Sequence, residues 1–174
     1  MKIDAARRLV VGLFVGGLAL WGSSSSWAED YGDTAALAKA LRSASVSLDR
    51  GLKASEREGK PISGKFEVED GALQLSVYTV KGGKFSEVIV DHRTGTVKKA
   101  EALTDANDLK DAREQNAAMV KAKIPLDKAV GESVKANAGY RAVSAAPSLR
   151  DGHPFAEITL MKGADVKKVT AELD

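Results

Sequence analysis

Two histidines, His92 and His153, and a scatter of carboxylates are the side chains from which acid–base or metal chemistry could most readily be built, for this 174-residue sequence has no cysteine. Thiolate nucleophiles, thiolate metal sites and disulfides are thereby excluded. A histidine becomes a convincing metal ligand only with two or three further ligands at short spacing. No such set is visible around either one, and the histidine–glutamate helix signature of metallopeptidases is missing. His92, beside Asp91, and His153, between Gly152 and Pro154, therefore read as solvated turn residues, with a ligand or a general base as the alternative. Glu67, Glu69 and Asp70 fall on the polar side of an alternating segment and its turn, while Glu56 and Glu58 stand among Lys53, Arg57 and Lys60. Such acids act as an acid–base pair only where a pocket raises one pKa. They read as surface. Gly82-Gly83 joins two strand-like segments instead of opening a helix, so it offers no phosphate loop. No catalytic residue, metal ligand or cofactor is expected.

The elements that would position these groups are legible from periodicity. Asp33 or Thr34 can cap a short helix whose Leu37 and Leu41 share one face. Ser47 can cap a second helix carrying Leu48, Leu52 and Ala54, expected to stop near Gly59 and Pro61. The period then falls to two. Phe66 and Val68 alternate with Lys65, Glu67 and Glu69, and Leu73, Leu75 and Val77 with Gln74, Ser76 and Tyr78, as in half-buried antiparallel strands. Alternation also assigns Phe66, Tyr78 and Phe85 to core packing and not to an aromatic platform. Asp70-Gly71 and Gly82-Gly83 are hairpin signals, and Asp91 to Gly95 reads as a longer turn ending in a left-handed glycine. In that turn Asp91 is expected to bond its own backbone. Farther on, a polar helix from about Asp105 has Leu109, Ala112, Met119 and Val120 as its apolar stripe. Another helix starts with Pro125 at its first position and has Val130 and Val134 on one face. Strands are expected near 141–145, 154–161 and 166–173.

The start of the chain has a different character. Lys2, Arg7 and Arg8 precede an apolar run of 13 residues, Leu9 to Trp21, followed by Ser23 to Ser26, Trp27 and Ala28. A membrane-spanning helix needs about 20 apolar residues, whereas a signal-peptide core needs about 7 to 15. Residues 1–28 are therefore expected to be a cleaved signal peptide, with the cut between Ala28 and Glu29; the alternative is an uncleaved anchor. General secretion is expected, because Arg7-Arg8 lacks the residues that normally surround a twin-arginine signal. Removing Lys2, Arg7, Arg8 and Asp4 leaves 23 basic and 23 acidic residues, so the net charge of +2 belongs to the leader. A neutral mature chain without a basic cluster supplies no electrostatic drive toward nucleic acid or an anionic membrane.

Two stretches of the remaining chain can be laid over one another. Val46 to Leu52 matches Ile124 to Val130 at an offset of 78; from Asp70-Gly71 and Asp151-Gly152 onward the offset is 81. Val77 then falls on Ile158, Lys81-Gly82 on Lys162-Gly163, Val88 on Val169 and Asp91 on Glu172. The three-residue difference implies an insertion, expected in the loop after the helix of the second copy. His153 aligns with Ala72 and His92 with Leu173, so no duplicated histidine site is implied.

A helix, a hairpin and a strand running into Val90-Asp91-His92-Arg93-Thr94-Gly95-Thr96-Val97 resembles the PepSY domain. The resemblance covers about Val46 to Leu103, and more weakly Ile124 to Asp174, where the turn formed by Asp91, Thr94 and Gly95 and the strand after it have no counterpart. It implies an α+β fold of two PepSY-like repeats, each with helices packed on an antiparallel β-meander. The expected division is residues 29–104 for the first repeat with its N-terminal helix and residues 105–174 for a linking helix and the truncated second repeat. It further implies a non-catalytic binding or regulatory module of the periplasm, contacting another envelope protein or a peptide, with modulation of a peptidase as one form of that contact. A small-ligand or metal-sensing module is the alternative, and an enzyme a more distant one.

Overall fold

The structure, a computed structural model, describes residues 34–174. The expected leader, its boundary at Ala28 and Glu29, and the Asp33 cap lie outside the described residues. In chain order the elements are α1 (Thr34–Ala40), a 3-10 turn (Leu41–Ser43), α2 (Leu48–Ser55), β1 (Lys60–Glu69), β2 (Ala72–Lys81), β3 (Lys84–Val90) and β4 (Val97–Ala102). Then follow α3 (Ala106–Lys121), α4 (Leu126–Ala136), β5 (Arg141–Arg150), β6 (His153–Lys162) and β7 (Asp165–Glu172). All seven strands join one antiparallel sheet in the order β4-β3-β2-β1-β5-β6-β7, so the fold is mixed α+β.

Two-residue turns set the register of every hairpin except β3–β4, which six residues connect. Asp70 and Gly71 both have positive φ (49° and 77°), as do Asp151 and Gly152 (51° and 83°), the backbone hand that matches strand twist. Gly64 pairs with Val77 and Phe66 with Leu75, and this face of the sheet lies under α2, whose Leu52 and Leu48 come against Gly64. Helix α4 packs beside α2 and over β5, β6 and β7. The opposite face carries α3. Ser63, one residue from Gly64 and on the other side of the pleat, donates its hydroxyl to Gln115 of α3 at 2.6 Å, both groups being buried. Lys60 reaches the Met119 carbonyl at 2.7 Å. The core on the α2 and α4 side includes Leu48, Leu52, Phe66, Leu75, Val77, Val130, Ile158 and Leu160.

The halves share detail well below the level of elements. Displacing β1 and β2 by 81 residues gives the bounds of β5 and β6. The register shift between Pro61 and Ser63 recurs between Ala142 and Ser144. The carbonyl of His92 accepts from the amides of Ser45 and Val46, and that of Leu173 from the amides of Lys123 and Ile124. Likewise Lys60 holds the Met119 carbonyl as Arg141 holds that of Leu41 at 2.8 Å. The halves meet where Gly64 pairs with Ala145, an antiparallel junction between positions that are themselves 81 apart.

Several expectations change. The three additional residues lengthen the helix, not the loop: α2 has 8 residues and α4 has 11, while four residues link each to its next strand. Pro125 is the N-cap and Leu126 opens α4. Ser47 is an N-cap with no side-chain bond, and Pro61 lies inside β1. Val120 is 70% exposed because the 3.6-residue period turns Ala112, Gln115, Ala118 and Met119 inward, and Val120 stands about 100° round from Met119. β5 runs on to Arg150, five residues beyond its expected end.

Candidate functional site

Asp91, Thr94 and Gly95 are brought together in one turn between β3 and β4. One carboxylate oxygen of Asp91 accepts from the amides of Arg93 (2.8 Å) and Thr94 (2.9 Å), and the other lies 2.9 Å from the Lys98 ammonium. The Asp91 amide donates to the Thr96 carbonyl and its carbonyl accepts from Gly95, both at 2.8 Å. Gly95 has φ +78°, the left-handed region in which a Cβ is disfavoured. Lys98, with the Thr94 and Arg93 amides, holds the Asp91 carboxyl far below the usual carboxylate range. The turn is thus closed on itself, and its acid is consumed in shaping it. The same turn anchors the α1–α2 connection through the His92 carbonyl.

The histidines are not brought together, and one differs from its sequence reading. His92 is half-buried, with its Nδ1 enclosed and without a hydrogen-bond partner. It is no solvated turn residue, because the α1–α2 connection docks on its backbone. His153, on an exposed rim, has Nδ1 3.0 Å from the Asp174 carboxylate. Among the described residues no three histidines or acids are gathered to hold a metal ion, and no helix is long and apolar enough to cross a membrane.

A second cluster lies on the sheet face beside α3. Antiparallel register sets Glu87 opposite Tyr78, Ser76 opposite Lys65, and Glu67 opposite Gln74. Ser76 donates to Glu67 (2.8 Å), Gln74 donates to Ser76 (3.0 Å), and Lys65 pairs with Glu67 (2.7 Å). Burial raises the pKa of Glu87, Glu67 adds to the rise, and Ser76 and Lys65 oppose it. Burial, with the carboxylates of Glu87, Glu67 and Asp108, drives the Tyr78 phenol well above its ordinary value, and that phenol bonds Glu87. Glu67 is therefore half-buried in a network and not plain surface, whereas Glu69 and Asp70 are exposed. Of the three aromatics, Phe66 is fully buried under α2, while Tyr78 and Phe85 belong to the α3 face by register. They form no common platform.

Sequence reasoning passed over Glu87, though a signal existed. A tight turn at Gly82-Gly83 makes residues whose numbers sum to 165 face each other, which sets Glu87 against Tyr78. The network is confined to one half. At the positions 81 residues on from Lys65, Glu67, Ser76, Tyr78 and Glu87 stand Ala146, Ser148, Glu157, Thr159 and Lys168, of which Glu157 and Lys168 pair at 3.3 Å.

No family model and no curated protein matches the chain. Among solved structures the chain is similar to that of a provisionally assigned lipoprotein from Clostridium difficile 630, with 14% identity and a TM-score of 0.40 over 70% of this chain and 80% of that one.

Proposed function

We propose that the chain is an exported, non-catalytic module of two PepSY-like repeats that binds another envelope protein or a peptide in the periplasm. The observation that carries this reading is the asymmetry of a repeated plan. Strand bounds, register shifts and carbonyl clamps recur at fixed offsets, whereas the Tyr78–Glu87–Glu67 network occurs once among the described residues, half-buried on the sheet face beside α3. Duplication supports a scaffold, and a polar patch peculiar to one half supports a single binding face on it. The acids Glu67, Glu69, Glu87 and Glu101 share that face with Lys65 and Lys99, which favours a partner presenting basic groups. The self-contained Asp91 turn serves as framework in this reading.

The test is affinity capture from periplasm with the wild type and with Glu67→Lys, a substitution at a half-buried rim position. A partner retained by the first and lost by the second supports the reading. Equal recovery by both, or melting shifted by a small ligand with no protein recovered, overturns it.

A further inference from the structure

The outer edge of β7 carries no strand among the described residues, whereas its counterpart β3 is covered by β4. The backbone of that edge is set for pairing. Leu173 donates its amide inward to the Pro154 carbonyl, so the alternation of an antiparallel ladder turns the N–H and C=O groups of Lys168, Thr170 and Glu172 outward. The corresponding positions in the other half do use this direction: the Phe85 carbonyl and the Asp91 amide both bond the β4 side.

The two sheet edges are not alike. β4 pairs with β3 through five rungs and a register shift, a device that blunts an edge, and its Lys98 and Lys99 are engaged with Asp91 and Glu101. β7 pairs with β6 through eight uninterrupted rungs. Its outward-bonding row reads Val166, Lys168, Thr170, Glu172; Lys168 lies 3.3 Å from Glu157 on the neighbouring strand, and Glu172 has no side-chain partner among the described residues.

We propose that β7 is the joint of a homodimer, in which the β7 strands of two copies pair antiparallel about a two-fold axis at Thr170. In that register Thr170 faces Thr170 of the second copy, and Lys168 of each copy faces Glu172 of the other. Both are hydrogen-bonded pairs built from outward-turned residues, and both opposite charges point to one face. Registers centred on Lys167 or Lys168 set like charges opposite one another, so the lysines disfavour those registers as well as guarding the edge. The joint repeats what the chain does internally, where β1 and β5 meet antiparallel at Gly64 and Ala145. A closed two-fold association covers the β7 edge of both copies, leaves the blunted β4 edges outside and generates no open filament. The inference goes beyond partner binding by the α3 face and does not depend on it.

The test is the sedimentation of the exported chain across the micromolar-to-millimolar range, beside two single substitutions at exposed positions. The wild type sediments as a dimer. Lys168→Glu and Glu172→Lys each weaken dimerisation about tenfold or more, since each places two like-charged pairs in the joint. Mixing the two variants restores a dimer. The Lys168→Glu chain then presents two acids at these positions and the Glu172→Lys chain two lysines, so both facing pairs are again of opposite charge. In the wild type alone, amide exchange at Lys168, Thr170 and Glu172 slows as concentration rises. A wild type that remains monomeric throughout, a dimer indifferent to both substitutions, or a mixture no tighter than either variant overturns the proposal.

Discussion

Asp91 and Glu87 are carboxylates pushed in opposite directions, and their contributions to stability oppose each other in pH. Asp91 is held below its ordinary value of 3.8 by Lys98 and two turn amides. Its contribution is present above that value and is lost as pH falls through the folded-state pKa, because the unfolded chain binds the proton first. Asp91→Asn is accordingly expected to lower the melting temperature by a few degrees at pH 7, with the deficit shrinking in acid; calorimetry at pH 7 and pH 3 reads both. Glu87, raised from 4.5 chiefly by burial, works the other way. The folded state favours its protonated form, so the stabilising contribution is full below 4.5 and is lost as pH rises through the folded-state pKa. Glu87→Gln should therefore melt a degree or two above the wild type at pH 7 and level with it at pH 4. A variant that melts below the wild type at pH 7 would show that the carboxylate repays its desolvation through Tyr78.

At the scale of elements, closeness of approach decides which glycines can be replaced. A Cβ on Gly51 of α2 would lie 2.6 Å from Leu75 Cδ2, and Leu75 is fully buried. The helix interior tolerates the glycine because it lets α2 settle onto β2. Gly131 of α4 has nothing within 4 Å of such an atom. Gly51→Val is expected to cost about 1–3 kcal/mol by overpacking, whereas Gly131→Ala should gain about 0.5–1 kcal/mol from helix propensity; urea titration separates the two. The same scale explains what the sequence disclosed. Period-two alternation and the Asp-Gly and Gly-Gly turns made the hairpins legible, together with the faces of β1 and β2, since local geometry alone determines them. Self-similarity revealed the offset of 78 but could not reveal that three added residues extend α4, because an insertion of nearly one turn leaves the apolar face of a helix in phase. The burial of Gln115 and the half-burial of Glu67 and His92 were hidden, for each depends on a helix or connection docking from a distant part of the chain.

Taken as a whole, the molecule joins its halves through few strand rungs, Gly64 with Ala145 and Lys65 with Ser144, and through the packing of α2 on α4. Arg141 adds bonds to the carbonyls of Leu41 (2.8 Å), Val46 (3.3 Å) and Ala44 (3.4 Å) and stands 5.6 Å from the centre of the Phe66 ring. A core shared in this way predicts one cooperative thermal transition, with calorimetric and van't Hoff enthalpies in agreement; two resolved transitions would show the halves to be independent. Trp21 and Trp27 both precede Glu29, so protein recovered from the periplasm after the expected cleavage should show tyrosine emission without tryptophan. The paired clamps at His92 and Leu173 carry a consequence for the order in which the chain opens. Connections between elements usually exchange their amide protons first. Here Ser45, Val46, Lys123 and Ile124, none of them within a helix or strand, donate to the carbonyls of His92 and Leu173, just beyond the ends of β3 and β7. Deuterium should enter these four positions as slowly as the strands they hold, so their labelling marks the dissolution of the sheet and not the breathing of a loop.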